Sequence, residues 1–404
     1  MLRKIDTKQL EPGMFLHELC GTWLHHPFWR TSFLLKSDTQ IAKIRDSGIA
    51  EAVIDTEKGL DINAPVATAT AVSVVSAPAP KPAAPKYTPM DAEMAQASNI
   101  VAESKKAVVS MFNEARMGKA IEADSVMPLV EEISSSVARN PGALISIARL
   151  KTADDYTYMH SVAVCGLMIA LARQLDLDEA QIREAGMAGL LHDVGKMAIP
   201  LEVLNKPGKL TDEEFTLIKG HPAAGHEMLA SGRGVSEISL DVCLHHHEKI
   251  DGTGYPHKLA GDQISLFARM GAICDIYDAV TSERPYKKGW DPAEAVHKMA
   301  TWSKGHFDER IFQAFVKSVG IYPVGSLIRL QSGRLGVVIE QTPSSLLAPR
   351  IKVFFSIKSQ TRMPPEVVDL SRPSTNDRIV GQEDPLKWGF TDLNTLWGGD
   401  KAAV

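Results

Sequence analysis

Cysteine is scarce in this chain. Cys20, Cys165, Cys243 and Cys274 are the only four, far apart and in no CxxC pair. That excludes a cysteine zinc knuckle and argues against a disulfide framework. Reduced, mostly buried thiols fit better. No uninterrupted apolar run reaches the roughly 20 residues a membrane helix needs, and Met1-Leu2-Arg3-Lys4-Ile5-Asp6 leads into no hydrophobic signal region. The expectation is a cytoplasmic protein without a membrane partner. An excess of one charge is also lacking: 44 Lys and Arg stand against 49 Asp and Glu, a net −5. Global charge therefore gives no reason to expect duplex nucleic acid or an anionic membrane as partner. A small phosphate ligand stays open, because a local Arg and Lys cluster is enough to bind one. No internal repeat is visible.

With 404 residues, 44% hydrophobic and 23% charged, the chain can hold two or three domains and bury a large core. Residues 1–62 read as a small α+β domain. A turn at Pro12-Gly13 precedes a strand-like run to Leu16, and Ser32–Leu35 is a short apolar piece. A helix is expected over Asp38–Asp46 with Ile41 and Ile44 inward, then a strand over Ile49–Asp55. His25-His26 is a candidate metal pair, with a surface or packing role the better reading. Residues 63–89 turn to Ala, Pro, Val and Thr. The prolines recurring from Pro78 to Pro85 remove backbone donors, so an extended, semi-rigid linker is expected.

Residues 90–322 read as a helical domain. Apolar residues recur at helical spacing over Asp91–Arg116 and Ala123–Ala138; Asn140-Pro141-Gly142 interrupts the pattern and Leu144–Leu150 resumes it. Helices are expected over Asp155–Leu175, Asp178–Leu191, Ser236–Glu248, Ser265–Ser282 and Phe307–Val319, with Asp291-Pro292 opening another. Thr211-Asp212-Glu213-Glu214 is a capping box, and Pro222 suits a first helical position. Beyond Tyr322-Pro323 the pattern turns strand-like over Ser326–Leu330, Leu335–Ile339 and Arg350–Phe355. These runs make a small β appendage over 323–371, with a hairpin turn at Ser332-Gly333. Residues 372–404 read as a polar tail with Trp388 and Trp397 as docking anchors. The fold class is mainly α: a helical bundle with a small α+β N-terminal domain and a small β C-terminal appendage.

Metal-ligating residue types collect in the helical region. His160, His192, Asp193, His221, His246, His247 and Asp275 each fall within or beside an expected helix. An adjacent His-Asp pair is common by chance, and His192-Asp193 alone would mean a histidine hydrogen-bonded near a helix end. The set changes that, since a divalent site needs lone-pair donors held in register by rigid elements. Asp193 can bridge two cations through its two oxygens. His246 and His247 would point about 100° apart on a helix, so they share a cleft only by straddling its floor or bridging a metal pair.

The motifs Thr157–Ser161, His192-Asp193-Val194-Gly195-Lys196, His221-Pro222, His246-His247-Glu248, Asp251-Gly252-Thr253-Gly254-Tyr255-Pro256, Asp275-Ile276-Tyr277-Asp278 and Arg284-Pro285-Tyr286 occur in one order. Over roughly residues 130–325 the chain resembles an HD-GYP domain. Leu10-Pro12-Gly13-Met14, Trp23, Pro27-Phe28 and Ile54-Asp55-Thr56 resemble the uncharacterised domain, DUF3391, often found ahead of it. HD-GYP proteins are bacterial phosphodiesterases that hydrolyse cyclic di-GMP. The resemblance implies an HD-type bundle that opens this substrate to pGpG, with GMP as a further product. It also implies that His160, His192, Asp193 and Asp275 hold one metal and that Asp193, His221, His246 and His247 hold the other. Iron or manganese is the expected identity. Some relatives hold a third metal through a glutamate four residues before the first ligand histidine; here that position is Tyr156, a poor ligand, so two metals are expected. Two metals roughly 3.5–4 Å apart neutralise a phosphodiester and hold a bridging hydroxide in line with phosphorus.

By the same resemblance Lys196 contacts the phosphate or its developing charge. Gly254, Tyr255 and Pro256 shape the substrate loop, and Arg284 and Lys287 contact phosphate and guanine, Arg284 as a bidentate clamp. His245 and His226 match no ligand position and read as surface or supporting residues, while Asp278 shares a helix face with Asp275 and orients a ligand or water. Diguanylate cyclases are implied partners through the GYP loop, and a homodimer is compatible with the sequence. Two rival readings stand: a non-catalytic cyclic di-GMP receptor, and an HD phosphohydrolase acting on another cyclic dinucleotide.

Overall fold

The computed structural model describes residues 2–20, 32–47, 49–60, 87–150, 156–282, 289–342 and 345–399, with the side chain of Tyr156 outside that set. The chain divides into two units, Met1–Ala84 and Pro85–Val404. Trp23, His25-His26, Pro27-Phe28, the proline-rich segment, Arg284 and Lys287 lie outside the described residues.

The first unit is an antiparallel four-stranded sheet in the order β1-β4-β2-β3, built from β1 (Leu2–Asp6), β2 (Phe15–Cys20), β3 (Phe33–Leu34) and β4 (Glu51–Asp55), with α1 (Asp38–Asp46) between β3 and β4. Ile41 and Ile44 are buried in one core with Leu10, Met14, Leu16 and Ile54. This is the inward face that the helical spacing requires.

The second unit begins with the helical bundle: α2 (Met90–Arg116), α3 (Met127–Arg139), α4 (Pro141–Arg149), α5 (Tyr156–Gln174), α6 (Glu179–Leu191), α7 (Leu201–Leu204), α8 (Asp212–Lys219), α9 (His221–Ala230), α10 (Glu237–His245), α11 (Leu266–Thr281), α12 (Pro292–His306) and α13 (Glu309–Val319). Helix α5 is buried without a break from Met159 to Ala172. A helix apolar on every side must lie inside, and α5 packs against α2, α4, α6 and α11. Caps fix the outer helices. Thr211 Oγ1 accepts from Glu214 N at 3.2 Å while Glu214 Oε2 accepts from Thr211 N at 2.7 Å. No helix among the described residues is long and apolar enough to cross a membrane.

The chain then forms an antiparallel five-stranded sheet in the order β8-β7-β6-β5-β9. Its strands are β5 (Leu327–Leu330), β6 (Arg334–Thr342), β7 (Ser345–Ser356), β8 (Thr361–Asp369) and β9 (Ile379–Gln382), followed by α14 (Pro385–Trp388) and α15 (Leu393–Gly398). Gly333, at φ +76°, turns β5 into β6, a conformation that favours glycine. The segment read as a tail thus supplies an edge strand and two short helices. Trp388 packs edge-on against Phe355 at 5.5 Å, and Trp397 is buried.

Candidate metal centre

Five elements deliver the seven expected ligands to one place. His160 stands in the first turns of α5, and Asp275 midway along α11. His192 and Asp193 follow the end of α6, His221 opens α9, and His246 and His247 follow the end of α10. Because α10 stops at His245, the two histidines sit in a turn and the 100° separation expected on a helix does not apply. Their rings lie 4.1 Å apart. Gly195 permits the close approach of α9: a Cβ there would collide with the His221 carbonyl and the Gly225 nitrogen.

The donors form two groups, His160–His192–Asp193–Asp275 and His221–His246–His247, with ligand atoms in each within 4.8 Å of one another. Asp193 joins them. Its Oδ2 lies 3.3 Å from His160 Nε2 and 3.3 Å from His192 Nε2. Its Oδ1 lies 3.2 Å from His221 Nε2 and 3.9 Å from His246 Nε2. Asp275 reaches His160 Nε2 at 2.9 Å through Oδ1 and His247 Nδ1 at 3.8 Å through Oδ2.

Hydrogen bonds on the far side of four of the five rings, those of His160, His192, His221 and His246, decide which nitrogen faces inward. His192 Nδ1 donates to Gly189 O at 2.8 Å, His221 Nδ1 to Ile218 O at 2.7 Å, and His246 Nδ1 to Val242 O at 3.0 Å. His160 Nδ1 is held by Asp278 Oδ2 at 2.6 Å. A ring whose Nδ1 carries the proton presents the Nε2 lone pair, the ligating tautomer. Asp278 is therefore a positioning residue for His160 rather than a member of either group.

Burial opposes charge throughout the cluster, yet it does not win everywhere. The carboxylates around His160 and His192 overcome burial and raise both, His192 to about 10. Asp193 is held well below the carboxylate range against burial by Lys196 and the imidazoles, and Asp275 likewise by His160 and His192. On the other side, burial and neighbouring imidazoles keep His246 well below its usual value. Burial pushes His247 down to about 3 against the pull of Asp275. In one half carboxylates and imidazoles hold each other charged, and in the other burial keeps His246 and His247 neutral. His192 Nε2 and Asp193 Oδ1 are buried and complete no hydrogen bond among the described residues. Buried polar atoms without partners are costly, and imidazole with carboxylate is a donor set that suits a divalent cation. The residues fit a pair of metals.

The other expected residues fall around this core. Lys196 pairs with Asp193. Tyr255 stacks on His247 with ring centroids 4.7 Å apart, and its amide donates to His247 O at 3.2 Å. Gly254 packs so closely on Glu248 that a side chain would strike its Cα, and Pro256 follows on a cis peptide. His226 joins neither group, and His245 turns away to Asp241 Oδ1 at 2.7 Å. Sequence reasoning gave Glu248 no role. Its carboxylate accepts from His257 N at 2.6 Å and Leu259 N at 3.1 Å, pinning the loop after Pro256 to the histidine turn. Its position directly after His246-His247 was the available signal.

A buried helical cluster of this kind defines the class, an HD-type metal centre. Residues 134–311 match the family described as HD domain, and residues 2–126 match the one described as Domain of unknown function (DUF3391). The second match runs well past residue 62. The chain is 56% identical over 400 residues, 99% of its length and 96% of the relative's, to cyclic di-GMP phosphodiesterase PA4108 of Pseudomonas aeruginosa. It is 41% identical over 155 residues, 38% of the chain and 40% of the relative, to the cyclic di-GMP phosphodiesterase response regulator RpfG of Xanthomonas campestris. It is 33% identical over 190 residues, 47% of the chain and 42% of the relative, to 3'3'-cGAMP-specific phosphodiesterase 1 of Vibrio cholerae. The chain belongs to the HD-GYP family of cyclic di-GMP phosphodiesterases that carry an N-terminal DUF3391 domain.

Proposed function

We propose that this chain is a metal-dependent phosphodiesterase that hydrolyses cyclic di-GMP to pGpG, with onward cleavage to GMP open to the same chemistry. The observation that carries this reading is the meeting of two donor groups at the two oxygens of Asp193. His160, His192, Asp193 and Asp275 would hold one cation, and Asp193, His221, His246 and His247 the other, iron or manganese in each case. Bound there, the pair would neutralise the phosphodiester and supply a hydroxide nucleophile at neutral pH.

The protein's own groups do the rest. Asp278 and the backbone carbonyls aim the imidazoles, so the site is organised before substrate arrives. Lys196, held against Asp193, adds positive charge where the phosphorane and the departing oxygen become more negative. Burial raises the Tyr255 hydroxyl well above its usual value, so it stays a donor, and its ring roofs His247. Gly254, Tyr255 and Pro256 shape the substrate loop, while Arg284 and Lys287 are proposed to contact phosphate and guanine. The same reading proposes the cytoplasm as compartment and diguanylate cyclases as partners at the GYP loop, and it is compatible with a homodimer.

A second reading, hydrolysis of 3'3'-cGAMP, draws on the Vibrio cholerae relative of that printed name. Metal-loaded wild type and Asp193→Ala incubated with each cyclic dinucleotide, with products separated by chromatography, distinguish the two. Wild type is expected to form pGpG, and Asp193→Ala to lose turnover by more than about a hundredfold, since even residues behind the ligands cost 10–100-fold. Turnover confined to 3'3'-cGAMP supports the second reading. Binding of cyclic di-GMP without turnover by metal-loaded wild type makes the chain a receptor.

A further inference from the structure

Helix α8 precedes the ligand His221 and carries two residues that the proposed chemistry leaves unused. Phe215 and Lys219 are four apart, on one helical face. Phe215 is 48% exposed. The Lys219 ammonium lies 4.6 Å from the Phe215 ring centre and 5.6 Å from that of Tyr255. Both distances are inside the roughly 6 Å reach of a cation–π contact. Tyr255 in turn stacks on His247. A lysine four residues from an aromatic is by itself an ordinary helix-surface pair. The second ring changes that, because it arrives from the substrate loop and rests on a metal-centre histidine.

Charge adds a separate observation. Lys196 is paired with Asp193, and Lys206 with Glu214 at 2.6 Å. Lys219 has no carboxylate partner among the described residues and lies against the two rings. It is a cation beside the Tyr255–His247 stack that makes no hydrogen bond among the described residues, flanked by the half-exposed Phe215 ring.

We propose that Phe215 and Lys219 form the base-recognition wall of the substrate groove, with Phe215 stacking on a guanine and Lys219 donating to its O6 and N7. The chemistry selects the base. Guanine presents two acceptors on that edge, whereas adenine replaces O6 with an amino donor. An ammonium has donors only, so it rewards guanine and meets adenine's amino group donor to donor. The inference rests on the cyclic di-GMP reading and names the side chains that make the site prefer guanine.

The test combines kinetics on the metal-loaded full chain with calorimetric binding of GMP and AMP. Lys219→Met should raise KM for cyclic di-GMP about tenfold, the lower range of one specific base contact, with kcat within about twofold. Phe215→Ala should raise KM by about fivefold or more, the scale of one lost base stack. Lys219→Arg should restore most of the affinity, because a guanidinium also donates to O6 and N7. Wild type should bind GMP more tightly than AMP, and Lys219→Met should close the gap at an unchanged melting temperature. An unchanged KM in Lys219→Met, or a GMP preference that survives it, overturns the proposal. A wild type that hydrolyses no cyclic di-GMP defeats the functional reading instead, and the GMP and AMP titrations still decide the wall.

Discussion

Asp193 and Glu340 are both buried carboxylates in the second unit, and the sequence around them builds opposite environments. Glu340 is fully answered. Its Oε1 accepts from Tyr87 OH at 2.6 Å, Met90 N at 2.8 Å and Asn140 Nδ2 at 3.3 Å, and its Oε2 pairs with Arg350. Those bonds tie β6 to the start of α2 and to the turn between α3 and α4. Asp193 has Lys196 on one oxygen, while its Oδ1 completes no hydrogen bond despite two nearby imidazoles. A satisfied buried carboxylate holds structure together; an under-satisfied one, ringed by donors of lone pairs, is organised for a cation. Burial alone does not separate a joint from a site. The partner inventory does.

The largest expected effect is on activity at the under-satisfied pole. Chelation of the metals should abolish turnover, and re-addition should restore it together with a higher melting temperature. Each site contributes about 2.7 kcal/mol when metal stands at a hundredfold excess over Kd. Asp278→Asn comes next. It leaves every ligand in place but loosens the hold on His160 Nδ1, so kcat should fall about 10–100-fold, the usual scale for residues behind a metal ligand. Added metal should restore part of the loss if the defect is affinity. At the satisfied pole the effect moves from activity to stability. Glu340→Ala strands Tyr87, Asn140 and the Met90 amide, costing about 3 kcal/mol, a drop of several degrees in melting temperature. Its kcat at low temperature should stay within about twofold. Loss of turnover in folded Glu340→Ala would place the joint inside the catalytic machinery and erase the contrast.

Much of the helical framework was legible from spacing and caps. The Thr211–Glu214 box and the α1 face with Ile41 and Ile44 are local signals, and local physics decides them. The seven expected metal-binding residues stood out as a set because each falls within or beside an expected helix. Strands β1 and β8 were not read. Leu2–Asp6 carries mostly charged and polar residues, and Thr361–Asp369 contains Pro364-Pro365. Both are edge strands, where charge and missing donors are tolerated and even useful against mispairing. The end of α10 at His245 was missed by a few residues, which is what turned His246 and His247 into neighbours in a turn. The Glu340 joint has no local signal at all, since Met90 is 250 residues away in sequence. Contacts at that separation are set by how the β sheet seats on the helices, which no window of sequence reports.

Metal content measured beside turnover tests the central claim most directly. The expected result is two iron or manganese ions per wild-type chain with cyclic di-GMP hydrolysed, and fewer than two with no hydrolysis in Asp193→Ala. Full-rate hydrolysis by a metal-free chain, or an Asp193→Ala protein that keeps both ions and its activity, would contradict it.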